Sequence, residues 1–520
     1  MCNNINFIFP KCLMILLLSF FSVSVLKGQE PPVITWDKTY GGSSNDGSGS
    51  IQQTLDGGYI VAGSTRSNDG DISDGNNGAS DYWIVKLDSM GNKVWDKTYG
   101  GSNGDGATSI QQTSDGGYIV AGSTESNDGD NSDGNNGESD IWIVKLDTAG
   151  NKIWDKTYGG SGQDYASSVQ QTFDGGYIVA GSTSFNEMTD GLGFIDFSYW
   201  IIKLDGSGNK EWDKTYDWEK PHDDLGEFEE RANSIQQTSD GGYIVAAYIF
   251  SFGCGASCII KLDGSGNKEW DKIYGEFAIS VKQTSDGGYI VVGHTCIDEY
   301  MALYDHFSDY WIKKLDGSGH EEWTKTYGWP GDDYAESIQQ TSDGGYIVAG
   351  IIYSDAGDII DGNYREDDYG IIKLDSVGNK IWDKTYGGSN NDGATSIQQT
   401  SDGGYIVAGY TSSNNGDITD GNNGSSDIWI IKLGPETPEN TNQIEIQNMF
   451  SLYPNPANSQ VVIKTNALQA LGEVLITDMT GKIVKQFQAQ KSTMEIDVST
   501  LENGIYFVKA GGVSQKLVKK

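Results

Sequence analysis

The sequence predicts an all-β protein: a seven-bladed β-propeller of four-stranded blades closed by its N-terminal strand, followed by a small Ig-like β-sandwich. Three observations predict it. The string WDKTY, or a near relative, starts at Trp36, Trp95, Trp154, Trp212, Trp270, Trp323 and Trp382, 53 to 59 residues apart. Units of that length must stack on their neighbours to bury their apolar faces. Each unit reads as four short alternating strands, SIQQT, GYIVAG, a version of DIWIVKL, and NKVWDKTY, with no helical pattern between them, which argues against βαβ units. Finally, the chain enters on a lone fourth strand, Ile34 to Tyr40, and the last copy stops after its third strand, Ile428 to Leu433. The first strand then completes the last blade, and closure removes the exposed edges of a linear array.

The elements follow in order. Residues 1–28 read as a signal peptide: after Lys11, the apolar stretch Cys12 to Leu26 is too short to span a bilayer and suits an h-region, with cleavage between Ser24 and Gln29. Residues 29–434 form the ring. SIQQT and GYIVAG meet at a tight turn ending in DGG (Asp56, Gly57, Gly58), where glycine supplies the positive φ a hairpin needs. The third and fourth strands meet at DxxGN (Asp88, Gly91, Asn92). A polar linker, 435–448, leads to a smaller unit at 449–520, whose short alternating runs read as an antiparallel sandwich.

Composition bounds the function. The net charge of −38 disfavours nucleic acid and anionic lipid as partners and suits a soluble, monomeric extracellular protein or a cation binder. No later run is long enough for a transmembrane helix. Removal of the leader leaves Cys254, Cys258 and Cys296, which is no disulfide framework; either Cys254 and Cys258 bridge, leaving Cys296 odd, or all are small buried thiols.

The ring's glycine-ended YIVAG strand, later (D)xW strand and hairpin into another Trp resemble the kelch type of blade. TSDGGY resembles the Asp-box of sialidase propellers, without the aromatic residue that ends that box. Both resemblances imply fold rather than activity.

The last 70 or so residues resemble the C-terminal sorting domain of type IX secretion cargo in Bacteroidota. The resemblance rests on LYPNPA with Pro454, Asn455 and Pro456, ITDMTGKIV with Gly481, LENGIYFVK with Gly504 and Tyr506, and a last strand ending in Lys519 and Lys520. It implies export to the periplasm, passage through the type IX machinery, removal of this domain, and release or anchoring at the outer cell surface. Gly481 and Gly504 read most simply as turn glycines.

In an up-and-down blade the first-to-second and third-to-fourth turns share one face, and here they are tight. The second-to-third loops on the other face are long and variable, so specificity is expected there. Blades 6, 7, 1 and 2 carry acidic loops that ring closure makes contiguous. Asp69, Asp71 and Asp74, Asp128, Asp130 and Asp133, and Asp417 and Asp420 are hard oxygen ligands around glycine turns and are candidates for Ca²⁺, although Asp, Asn and Gly also suit any solvated turn. A recurring second acid, such as Asp46 or Asp105, is expected to cap its own loop. Blades 3 to 5 form the divergent arc. His294 and His306 lie there, and Trp218 and Trp329 sit in loops outside the repeat, as ligand-stacking candidates. No HExxH, CxxC or P-loop motif marks a catalytic centre. The recurrent Trp and Tyr fit inter-blade packing better than sugar platforms, and the paired glutamines suit a structural hydrogen-bonding role.

The reading is an extracellular binding or adhesion module for a glycan or protein ligand. The alternative is a secreted glycan-active hydrolase or lyase with its site on the loop face of blades 3 to 5.

Overall fold

The computed structural model describes residues 29–184, 197–216, 229–251, 254–295, 307–329, 331–354, 366–436, 450–465, 472–478, 482–489, 493–510 and 513–520. Seven four-stranded antiparallel sheets carry the repeats. Blade 1 is typical, with strands Asp46–Gln53, Tyr59–Thr65, Asp81–Leu87 and Lys93–Tyr99 in spatial order. Blade 7 is closed by the N-terminal strand: Ile34–Tyr40 pairs with Asp427–Leu433. Trp36 faces Lys432, and the direct partner of Trp429 is Thr39.

Four devices recur around the ring, three of them at the blade junctions, and each explains a letter of the repeat. The WDKTY tryptophan packs edge-on against the GYIVAG tyrosine of the next blade, Trp36 on Tyr59 through Trp382 on Tyr405, with ring centroids 5.7 to 6.2 Å apart. The WDKTY tyrosine donates its hydroxyl to the DxxGN glycine carbonyl of the next blade, as Tyr99 does to Gly150. Tyr386 meets no such turn in blade 7 and donates to the Pro32 carbonyl, so the N-terminal segment completes this contact as well.

Within each blade, a third-strand lysine buries its stem and pairs with the DGG aspartate, from Lys86–Asp56 to Lys432–Asp402, at 2.8 to 3.1 Å. The ammonium also donates to the carbonyl that ends its own strand, as Lys86 does to Leu87, so these buried charges are fully engaged.

The paired glutamines form two belts around the inner strands. The second glutamine of every blade accepts from a backbone N–H in the DGG turn of the preceding blade, at 2.7 to 2.8 Å. The first glutamine of six blades accepts from the inner-strand N–H of the following blade, at 2.5 to 2.6 Å. An inner strand is a sheet edge with unpaired N–H groups, and the first belt satisfies one of them at six of the seven junctions.

The C-terminal strands form a three-stranded sheet (Phe450–Tyr453, Gln460–Thr465, Thr493–Asp497) and a four-stranded sheet (Ile483–Ala489, Gly472–Thr477, Gly504–Ala510, Val513–Lys519). Val461, Ile463, Val474, Ile476, Val508 and Leu517 make the core between them.

One cysteine expectation is corrected. Cys258 is a free, buried thiol. It shares the strand Cys254–Leu262 with Cys254, and four residues of extended chain span about 13 Å, beyond disulfide reach. Burial pushes the Cys258 thiol up to about 12, so it is inert at neutral pH.

Candidate functional site

The long-loop face has two unlike arcs. In blades 7, 1 and 2 the acidic loops are cross-linked into a rim. Asp69 accepts from the Ser43 N–H at 2.8 Å and Asp128 from the Ser102 N–H at 2.7 Å. Asp71, Asp130 and Asp417 accept from Gly41, Gly100 and Gly387 at 3.2 to 3.4 Å, and the return bonds run from their own amides to the same three carbonyls. Asp74, Asp133 and Asp420 pair with Lys97, Lys156 and Lys38. The candidate calcium ligands thus hold each loop to the adjoining strand or strand connection, and no group of three or more His, Cys, Asp or Glu side chains suited to a metal forms among the described residues.

The buried acids beneath the rim lock it. Asp46 accepts from Gly42 N–H and from the Thr65 and Ser67 hydroxyls, the expected capping role. The WDKTY aspartates were not foreseen as structural: Asp96 accepts from Ser73 of the loop and from the indole of Trp83, Asp155 from Ser132 and Trp142, and Asp37 from Thr419 and Trp429. At the junctions, Asp427 and Asp46, Asp81 and Asp105, and Asp140 and Asp164 converge on Gly41, Gly100 and Gly159. A β-carbon there would lie 2.1 to 2.2 Å from an oxygen of the first acid of each pair. Burial, and then the neighbouring carboxylates, push Asp81 and Asp427 up to about 6.

The divergent arc, and blade 6 with it, differs at one column of the inner strand. The residue after the buried first-strand acid is Gly47, Gly106 and Gly393 in blades 1, 2 and 7, and its counterparts are Tyr165, Arg231, Phe277 and Tyr334 in blades 3 to 6. These four side chains and their cross-strand partners make a half-buried aromatic crescent. Arg231 lies over Tyr165 at 5.7 Å and Phe197 at 5.6 Å. Tyr248 meets Phe277 edge-on at 5.9 Å, His294 stacks on Phe277 at 4.7 Å, and Tyr334 closes edge-on against His294 at 4.9 Å. Opposite, a β-carbon at Gly47 would meet nothing within 4 Å. The inner strands therefore begin with rings in blades 3 to 6 and again in blade 7, where a β-carbon on Gly393 would meet the Tyr410 ring at 2.7 Å, and with open space only at blades 1 and 2.

His294 falls inside this crescent. Burial holds its imidazole down to about 4, against a smaller opposing pull from Asp332, so it is neutral near pH 7. Trp329 packs edge-on against Tyr310 at 5.6 Å, between blades 5 and 6. Trp218 and His306 lie outside the described residues. The crescent was legible only by aligning the seven copies on that column, which the irregular lengths around blades 3 to 5 obscure.

In the C-terminal unit, the YPNPA segment docks on the last strand. Asn455 accepts from Val518 N–H at 2.9 Å and donates to the Lys516 carbonyl at 2.6 Å, and Lys520 N–H donates to Ala457. Tyr506 donates to the Glu502 carbonyl at 3.0 Å, and Lys519 reaches Asn503 at 3.4 Å. Gly504 is corrected from a turn to a strand residue: it opens Gly504–Ala510 opposite Lys519, without a positive φ. Gly481 lies outside the described residues. Residues 451–520 match the family described as the secretion system C-terminal sorting domain. The C-terminal unit is such a sorting domain. The chain is therefore type IX secretion cargo with a β-propeller fold, marked for the cell surface or for secretion. Among the described residues no helix is long and apolar enough to cross a membrane.

No curated protein matches the chain. Among solved structures it is similar to BamB from Moraxella catarrhalis, at 14% identity over 77% of this chain and 88% of that one, with a TM-score of 0.35. The Neurospora crassa Pan2 WD40 domain matches at 10% identity, 75% and 90% coverage and a TM-score of 0.42. PorZ, a surface component of the type IX secretion system of Porphyromonas gingivalis, matches at 9% identity, 93% and 100% coverage and a TM-score of 0.16.

Proposed function

We propose that this cargo protein is an extracellular binding module whose ligand enters at the aromatic crescent of blades 3 to 6. The observation that carries the reading is the single column at which a near-identical repeat exchanges glycine for Tyr165, Arg231, Phe277 and Tyr334. Ring faces, one guanidinium and a neutral imidazole suit stacking on a sugar ring. The rim of blades 7, 1 and 2 supplies the rigid opposite wall.

Screening the mature chain against a glycan array identifies the ligand class. Tyr165→Ala and Tyr334→Ala should each weaken binding roughly two- to tenfold, the worth of about 0.5–1.5 kcal/mol per aromatic contact, while leaving the melting temperature close to that of the parent. Unchanged binding in both variants removes the crescent from the function. The hydrolase or lyase reading shares this arc because His294 lies in it. Recovery of the captured glycan as shortened fragments, lost in His294→Gln, favours that reading; recovery intact favours binding alone.

A further inference from the structure

The first glutamine belt has one gap. Gln52, Gln111, Gln170, Gln236, Gln339 and Gln398 each turn a carboxamide oxygen to the backbone N–H of the next blade, on Gln112, Gln171, Gln237, Gln283, Gln399 and Gln53. In blade 5 the same position is Lys282, and the N–H it should serve belongs to Gln340. An ammonium has donors and no acceptor. At this junction the strand register brings a donor side chain, Lys282, opposite the donor N–H of Gln340, where the other six junctions pair a donor with an acceptor.

Nothing else in the surroundings restores the balance. Burial alone acts on Lys282, lowering its pKa, with no contribution from a nearby carboxylate. The carboxamide oxygens of Gln236 and Gln339 on either side are committed to neighbouring strands, which turns their nitrogens away from those strands. Lys282 is half-buried, and an ammonium partly withdrawn from water without a counter-ion is costly.

We propose that the inner belt binds one compact monovalent anion, a halide or a small carboxylate, between Lys282 Nζ and the Gln340 N–H, in the place that a carboxamide oxygen fills at the other junctions. The chain's net charge opposes anions at long range, but at physiological ionic strength that field is screened within about 8 Å, whereas the two donors act at contact. The site lies near the turn end of the inner strands. The crescent lies at their other end, five residues or about 16 Å away along the strand, so the two sites are independent.

The test uses crystals of the mature chain soaked in bromide, with Lys282→Gln and Lys282→Met as comparisons. Lys282→Gln installs the residue that six blades already carry and should close the belt. The expected result is an anomalous bromide peak within hydrogen-bond reach of Lys282 Nζ and Gln340 N in the parent, and loss of that peak in both variants. In parallel, replacing sulfate by chloride at equal ionic strength should raise the melting temperature of the parent and not that of Lys282→Gln. Absence of the peak in the parent overturns the proposal. A peak of equal height in Lys282→Gln also overturns it, because bromide would then be an adventitious ion only.

Discussion

Blades 7, 1 and 2 bind their loop residues to the adjoining strand connections, whereas blades 3 to 6 open their inner strands with Tyr165, Arg231, Phe277 and Tyr334. In the first arc, Asp71, Asp130 and Asp417 reach the glycine after WDKTY, and Gly41, Gly100 and Gly387 are closed in by carboxylates. In the second, Gly160 stands where Gly42, Gly101 and Gly388 stand, and a β-carbon there would meet nothing within 4 Å. The same blade can thus serve as wall or as platform. Which it becomes depends on a few positions, because the belts, the Trp–Tyr pairs and the Lys–Asp pairs hold the ring together in both arcs.

The largest expected effect breaks the regular arc at its seam. Deleting Pro31 to Tyr40 removes the strand that pairs with Asp427–Leu433, the Trp36–Tyr59 contact and the Asp37 anchor of Thr419 and Trp429. The ring should lose its single cooperative transition, as followed by circular dichroism during denaturant unfolding, and unfold from blade 7. A single transition at the parental midpoint would show that the N-terminal strand is dispensable.

A pair of alanine substitutions sharpens the contrast between arcs. At Gly101 a β-carbon would sit 2.4 Å from Asp128 Oδ1 and 2.6 Å from its backbone oxygen, so Gly101→Ala should cost about 1–3 kcal/mol as overpacking. Gly160→Ala should be neutral or slightly stabilising. Equal losses in thermal melts would mean that the rim is no tighter than the divergent arc.

The acid pairs give a pH dependence. Asp81 and Asp427 rise from 3.8 to about 6 on folding and Asp333 to about 7, each first through burial. A raised carboxyl pKa means the folded state binds the proton more tightly. This stabilisation is fully present below about pH 4 and is lost as pH rises through 6 to 7. Asp81→Asn with Asp427→Asn should therefore raise the unfolding free energy at pH 8 by on the order of 2 kcal/mol per site, seen as a higher melting temperature, and leave it nearly unchanged at pH 4. An equal shift at both values would point to a cause other than titration.

The smallest effect concerns calcium at the rim, which we propose as a test of Asp71, Asp130 and Asp417 rather than of acidity in general. A Ca²⁺-specific rise in melting temperature over Mg²⁺ at equal ionic strength, abolished by Asp71→Asn with Asp130→Asn and Asp417→Asn, would establish ligation. Equal responses to both ions would leave these carboxylates with their amide partners alone.

The repeat and its four strands are legible in the sequence because period-two patterning and turn glycines are local signals written seven times over, and the closure by Ile34 to Tyr40 and the sorting domain are legible from where the repeat starts and stops and from the motifs after it. The sequence also indicated that the aromatics and glutamines were structural. The tertiary structure decided what those residues touch. The junction partners of Trp36, Gln52 and Asp46 lie in other blades or across the closing seam, so their pairing follows from ring closure and from no spacing along the chain. The crescent was hidden for the same reason. Tyr165, Arg231, Phe277 and Tyr334 are single letters scattered over about 170 residues, and only stacking four wedges around one axis brings them side by side.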